Sequence, residues 1–324
     1  GKSALPPASS RALASQQVDA TALDQAAQAA FFQTRHPMTS DPCPIGVFDS
    51  GIGGLSVLQA LQKELPHERF VYLADNAHAP YGEKSETFIR ERTHAIADYL
   101  LGQHHIKALV VACNTATAAA IHELRARHPA LALVGLEPAL KPALALSHTR
   151  HIGVMATRGT VASDKFARLL ASVQSEAHFE VQACNGLALA IEQSTLPDQA
   201  EAAQAQIAHL LQTYTQAMGC FGSAPGDIDT LVLGCTHYVF VENDLRQLLG
   251  PDVQLVSTGE PVARQTQRLL AAAGLLNPGQ TNGAAQPMRL LTTGDLQGLR
   301  AAAQRWLGLP PEVCEAVPAA LQGA

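Results

Sequence analysis

The chain has 324 residues, 47% of them hydrophobic, and a formal charge of -6 at neutral pH. That length supports a sizeable core, more comfortably as two domains than as one. The acidic balance and only six lysines, Lys2, Lys63, Lys84, Lys107, Lys141 and Lys165, leave no basic footprint for nucleic acid or an anionic membrane, which makes small-molecule chemistry the default expectation.

The six cysteines, at 43, 113, 184, 220, 235 and 314, show no CxxC or other metal-ligand spacing. A chain with this much core needs no disulfides, so a reducing cytoplasmic setting is expected. No apolar run approaches the ~20 residues required to span a bilayer, and no membrane association is expected. Residues 1–43 read as an N-terminal extension that is poorly ordered or a short helix; they are rich in Ala, Gln and Ser and lack the compact apolar stretch of a signal peptide, and Met38 is the expected start.

From Pro44 the chain alternates short apolar strands, glycine-bearing turns and helical periodicity: PIGVFDSGIGGLSVLQALQKEL, then RFVYLADNAHAPYGEKSETFIRERTHAIADYLLG, then IKALVVACNTATAAAIHELRARH. Three such units in series predict an α/β fold built on a mainly parallel sheet, and their continuously apolar strands predict burial on both faces. LALVGLEPALKPALAL follows, where Pro138 and Pro142 fit a domain-crossing connection followed by a short helix. The same order then recurs: HIGVMATRG repeats the IGV strand, HFEVQACNG stands where RFVYLADNA stood, and DTLVLGCTHY stands where KALVVACNTA stood.

Two similar α/β domains with the active site between them are therefore expected. Residues 44–136 plus 255–308 form the first, 137–254 the second, and 309–324 a weakly specified C-terminal tail. The strand VQLV and the helix after TGEP are expected to return to the first domain.

In open parallel sheets, ligands bind outside the carboxyl ends of the strands. Asp49 and Ser50, Cys113 to Thr115, and Cys235 to His237 all occupy such ends. A thiol there lies close to a helix N-terminus, whose dipole favours thiolate and predicts a lowered cysteine pKa. Free cysteine is more often a small buried hydrophobe, and that reading is kept for Cys43, Cys184, Cys220 and Cys314. Cys113 and Cys235 stand apart because they occupy matching positions in the two halves. Facing thiols suit inversion at a carbon that bears hydrogen: one removes the proton from one face while the other delivers a proton to the opposite face.

FDSGIGGLS does not complete a dinucleotide fingerprint, since position 56 is serine. It reads as a tight turn that brings Asp49 and Ser50 to a small ligand, Asp49 either holding a substrate ammonium or capping the helix that follows. His237 reads as an orienting or proton-holding partner for Cys235, or as an ordinary hydrogen-bonded histidine.

Taken together, IGVFDSGIGGLSVL, YLADNAHAPYGEKS, LVVACNTATA, GLEPALKP and LVLGCTHY resemble the glutamate racemases, from about Pro44 to Leu307. The resemblance implies interconversion of L- and D-glutamate without cofactor or metal, D-glutamate supply for peptidoglycan, and a homodimer. It implies catalytic roles for Cys113 and Cys235, with Cys113 taking the proton from D-glutamate and Cys235 from L-glutamate. It also implies substrate binding by Asp49, Ser50, Tyr81, Gly82, Asn114, Thr115, Thr236 and His237, with Glu192, at the end of LALAIE, supporting the second cysteine.

Overall fold

The computed structural model describes residues 43–278 and 288–322. The expectations for the N-terminal extension fall almost wholly outside them. The first half runs β1 (Ile45–Asp49), α1 (Leu55–Glu64), β2 (Phe70–Ala74), α2 (Glu86–His104), β3 (Ala108–Val111), α3 (Asn114–Arg127) and β4 (Ala132–Gly135). After α4 (Leu140–Leu146) come β5 (His151–Ala156), α5 (Arg158–Val161), α6 (Asp164–Ala171), β6 (His178–Ala183), α7 (Leu187–Gln193), α8 (Ala200–Met218), β7 (Thr230–Leu233), α9 (Glu242–Leu249) and β8 (Gln254–Val256). The described chain closes with α10 (Gly259–Ala272), β9 (Met288–Thr292), α11 (Leu296–Leu307), β10 (Cys314–Ala316) and α12 (Ala319–Gln322).

Two sheets result, ordered β10-β9-β2-β1-β3-β4 and β6-β5-β7-β8, and every pairing in them is parallel. The repeat seen in the sequence is therefore topological: β2-β1-β3-β4 and β6-β5-β7-β8 are the same order written twice. Cys113 and Cys235 follow the corresponding strands β3 and β7. Both sheets lie within one compact unit, Asp41–Ala324.

Both faces of each sheet are covered at its centre, which is why β1, β3 and β7 are buried along their whole length, whereas the edge strand β6, HFEVQA, is not. β1 sends Ile45 and Val47 into a core shared with α1, α10 and α11, and Phe48 into the opposite core with α2 and α3. In the second sheet Met155 packs with α7 and α8, whereas Ile152 and Val154 pack with α4 and α6.

Two expectations need correction. The VQLV strand does not return to the first sheet: Gln254–Val256 pairs in register with Thr230–Val232, because the short helix α9 carries the chain straight back beside β7. Only the next helix, α10, crosses to pack against α1 and β4. Beyond Leu309, where the sequence specifies little, Cys314–Ala316 pairs with Leu290–Thr292 and extends the first sheet. No helix among the described residues is long and apolar enough to cross a membrane.

Candidate active site

The loops at the carboxyl ends of the two sheets meet. A Cβ on Gly53 would lie 2.4 Å from His237 Nδ1 and 2.5 Å from Thr236 Oγ1, so only a residue without a side chain lets the turn after β1 touch the turn after β7. On the other side of the site Thr115 Oγ1 lies 3.0 Å from Thr157 Oγ1 and 3.3 Å from Thr160 Oγ1, joining the turns after β3 and β5.

Cys113 leaves β3 and caps α3, its Sγ accepting from Ala116 N–H at 3.4 Å. The thiol in turn lies 3.7 Å from Ser50 Oγ, to which it can donate. The predicted lowering of its pKa does not occur. Burial, followed by the charge of Asp49, pushes the thiol well above its ordinary range, and the Ala116 N–H and Ser50 contacts only partly offset this. The cap is real, but one N–H to sulfur cannot replace a lost hydration shell. A charge on Cys235 also raises Cys113, which puts the two sulfurs within electrostatic reach. Both residues are almost fully enclosed, at 5% and 7% exposure.

Cys235 follows β7, and its Sγ lies 3.7 Å from His237 Nδ1. His237 Nε2 lies 2.6 Å from Glu192 Oε1, across from α7. Burial works against an imidazolium here, but the contacts to Cys235 and Glu192 outweigh it and hold His237 well above the usual histidine range. A protonated ring donates from both nitrogens, which matches having sulfur on one side and carboxylate on the other. Glu192 also accepts from Ile52 N–H at 2.7 Å and from Asn76 Nδ2 at 3.0 Å, so it ties the second sheet's helices to two loops of the first.

Asp49, at the end of β1, is fully buried. Its Oδ2 accepts from Gly54 N–H at 2.6 Å, and its Oδ1 has no hydrogen-bond partner. Burial is the largest influence on it and lifts its pKa to about 6, against the opposing pull of His237 and the Gly54 N–H. The cap reading is not met, since the residue capping α1 is Gly54 and no side chain caps that helix; Asp49 instead holds the Gly54 N–H in the turn before it, and its other oxygen is left unpartnered. Asn114 is likewise buried with both amide atoms unpartnered. Buried polar groups are nearly always satisfied, so two orphaned side chains beside a thiol mark a place built for a polar ligand.

Not every candidate points its polar atom at that place. Tyr81 and Gly82 sit on a short helical turn, and Tyr81 donates to Asp75 Oδ2 at 2.5 Å. Asp75 also receives Arg92 at 2.6 Å and 3.0 Å and Thr293 Oγ1 at 2.7 Å. That buried cluster is absent from the sequence reading. Its members come from distant segments, and only the aspartate of ADNAHAPYG hinted at it. Thr236 is buried, with its carbonyl accepting from Ser56 Oγ at 3.2 Å. Of the cysteines read as small hydrophobes, Cys184 and Cys314 are buried. Cys43 is only partly so and Cys220 is exposed, just outside α8, where no core remains to cover it.

Residues 45–266 match the family described as Asp/Glu/Hydantoin racemase. A glutamate racemase of Ectopseudomonas mendocina is 46% identical over 279 residues, which is 85% of this chain and 99% of that one. Among solved structures, glutamate racemase isoform RacE1 from Bacillus anthracis superposes with a TM-score of 0.73 at 31% identity, covering 85% of this chain and 97% of that one. The Escherichia coli glutamate racemase in complex with L-glutamate and the activator UDP-MurNAc-Ala gives 0.70 at 30% identity, over 85% and 98% of the two chains. Doubled sheets with a thiol at each matching strand end, together with these likenesses over most of its length, show that the chain belongs to the Asp/Glu/hydantoin racemase family.

Proposed function

We propose that the chain is a glutamate racemase that inverts the α-carbon with two cysteines, without a cofactor, in the cytoplasm and as a homodimer, supplying D-glutamate for peptidoglycan. The observation that carries the reading is the pair Cys113 and Cys235, buried at equivalent strand ends of two topologically matched sheets. In the direction from L to D, the Cys235 thiolate takes the α-proton and the Cys113 thiol gives its proton to the opposite face. The products are D-glutamate, a Cys235 thiol and a Cys113 thiolate, and the reverse direction exchanges the roles.

The environment suits that chemistry. An α-proton is a poor acid, and a desolvated thiolate is a stronger base than a hydrated one, so the burial that raises Cys113 also improves its match to the proton it handles. Protonated His237 gives Cys235 Sγ a charged partner. The free Oδ1 of Asp49 is suited to the substrate ammonium. Ser50, Asn114, Thr236 and the adjoining backbone N–H groups are suited to its carboxylates by charge-assisted hydrogen bonds. Tyr81 and Thr115 are read as supports of the loops that carry these groups, and the two halves as domains that close over the substrate.

The test is incubation of the purified, dialysed protein with L-glutamate in deuterated water. D-glutamate should appear with deuterium at the α-carbon, followed by circular dichroism and proton NMR. A cysteine hydrolase would leave the α-carbon unlabelled, and that outcome, or inversion of aspartate or a hydantoin in preference to glutamate, would refute the reading.

A further inference from the structure

We propose that His151, His178 and Glu180 form a binding site for a divalent transition metal of the zinc type, at the end of the second sheet remote from the thiols. The strand register places His151 directly beside His178 in the β5–β6 pair. Residues two apart on a strand share a face, so Glu180 joins His178 there. One donor atom from each of the three lies within 4.8 Å of the other two. The imidazole rings stand 4.6 Å apart between centroids, edge to face, and His178 Nε2 is 3.7 Å from Glu180 Oε2. That last separation is too long for a hydrogen bond and leaves room for a shared partner.

The orientation of His151 is the second, independent observation. Its Nδ1 lies 2.6 Å from the Gly226 carbonyl. A carbonyl oxygen only accepts, so Nδ1 carries a proton, and in the neutral ring Nε2 is the nitrogen with the lone pair. That Nε2 is buried and has no hydrogen-bond partner. Fixing a histidine through its other nitrogen to a backbone carbonyl is how metal-binding imidazoles are commonly aimed. Two imidazoles and one carboxylate match a zinc coordination sphere completed by water, and divalent copper and nickel would compete for the same donors.

His178 and Glu180 have 67% and 40% of their side chains exposed, so an ion can enter from solvent. β6 is the edge strand of its sheet, and an ion shared by β5 and β6 would fasten that edge. Cys235 lies beyond the opposite end of β7, which separates this site from the chemistry. Motif spacing does not disclose it, because the donors come from two segments that only the strand register unites. The site is a structural one and leaves the expectation of metal-free turnover as it stands.

The full chain, stripped with chelator, should bind one zinc ion in calorimetric titration, with a thermal midpoint that rises with zinc concentration. His178→Ala should weaken binding by about ten-fold or more and abolish the rise, and Glu180→Gln should weaken it as well. The metal-free midpoint and the turnover of His178→Ala should equal those of the unaltered chain, since the ring is largely in solvent. Cobalt substituted at the site should show ligand-field bands without thiolate charge transfer. The proposal is overturned if His178→Ala binds zinc as tightly as the parent, if cobalt reports thiolate ligation, or if zinc does not bind at all.

Discussion

Glu192 holds His237 from the side opposite Cys235, at 2.6 Å between Oε1 and Nε2, and the same oxygen accepts from Ile52 N–H across the site. The carboxylate therefore links the state of one cysteine's partner to the contact between the two halves. Hydrogen bonds to Cys235 and to Glu192, reinforced by the charge of Glu192, keep His237 protonated against burial.

Glu192→Gln keeps the size and hydrogen-bonding reach but removes that charge. His237 then loses its proton at lower pH, and the alkaline limb of the turnover profile should move down, with turnover at neutral pH reduced roughly 10- to 100-fold. Gly51→Ala should act similarly while leaving the carboxylate's charge in place, because a Cβ there would sit on Glu192 Oε1 and push it away from His237. An alkaline limb that stays in place in Glu192→Gln would show that the carboxylate does not govern the histidine.

Asp49 gives a prediction in which stability and activity move in opposite directions. Its folded pKa is raised from 3.8 to about 6, so its contribution to stability is fully present below the unfolded value and is lost as pH rises through about 6. Above that, the buried carboxylate is a cost. Asp49→Asn should raise the stability of the chain by up to about 3 kcal/mol at neutral pH and by nothing measurable near pH 4. It should also raise the KM for glutamate sharply, since the amide cannot pair with an ammonium. Thermal unfolding at the two pH values measures the first effect and steady-state kinetics the second; equal stability at both pH values would remove Asp49 as a strained, functional carboxylate.

Much of this site is legible in the chain because parallel sheets put their chemistry where strands end. LVVACNTA and LVLGCTHY announce Cys113 and Cys235 by position, and the shared order of apolar runs announces the doubled sheet. The protonation of Cys113 is not legible, since the helix dipole is visible in a sequence and the depth of burial is not. Nor is the destination of VQLV, because a short apolar strand fits either sheet and only packing decides. Asp75, Tyr81, Arg92 and Thr293 meet across the first sheet, and nothing in local patterning connects Thr293 to residues more than two hundred positions earlier. Only the family resemblance marks Glu192; on its own, LALAIEQ reads as an ordinary helix.

The Asp75 cluster predicts a large stability cost for a change at Arg92. Arg92 binds both oxygens of Asp75 and donates to the Leu321 carbonyl at 3.1 Å, fastening the last helix to the first sheet. Although burial opposes it, hydrogen bonding from Arg92 and Tyr81 keeps Asp75 below the ordinary carboxylate range. Arg92→Met strands that carboxylate and should cost about 3–5 kcal/mol at neutral pH. The double change Asp75→Asn with Arg92→Met should recover part of the loss, because the amide carries no charge to bury. Denaturant unfolding of the single and double variants decides the matter, and strict additivity would contradict a coupled pair.

The division of labour between the thiols is the sharpest test of the proposed mechanism. Serine in place of either cysteine offers a hydroxyl that does not become an anion near neutral pH, so inversion should fall by orders of magnitude in both directions. The surviving thiolate still faces one enantiomer and can take its proton. With β-chloroglutamate, proton removal leads to irreversible loss of chloride and needs no reprotonation from the other side. Cys113→Ser, which retains Cys235, should therefore eliminate chloride mainly from the L isomer, and Cys235→Ser mainly from the D isomer. Elimination should also survive better in Cys113→Ser, because Cys235 keeps His237 beside it whereas Cys113 is held as a thiol by burial and by Asp49. Chloride release from each isomer, measured for both variants, reports all of this at once. If both variants prefer the same enantiomer, or if either still racemises glutamate near the parent rate, the two thiols do not act on opposite faces.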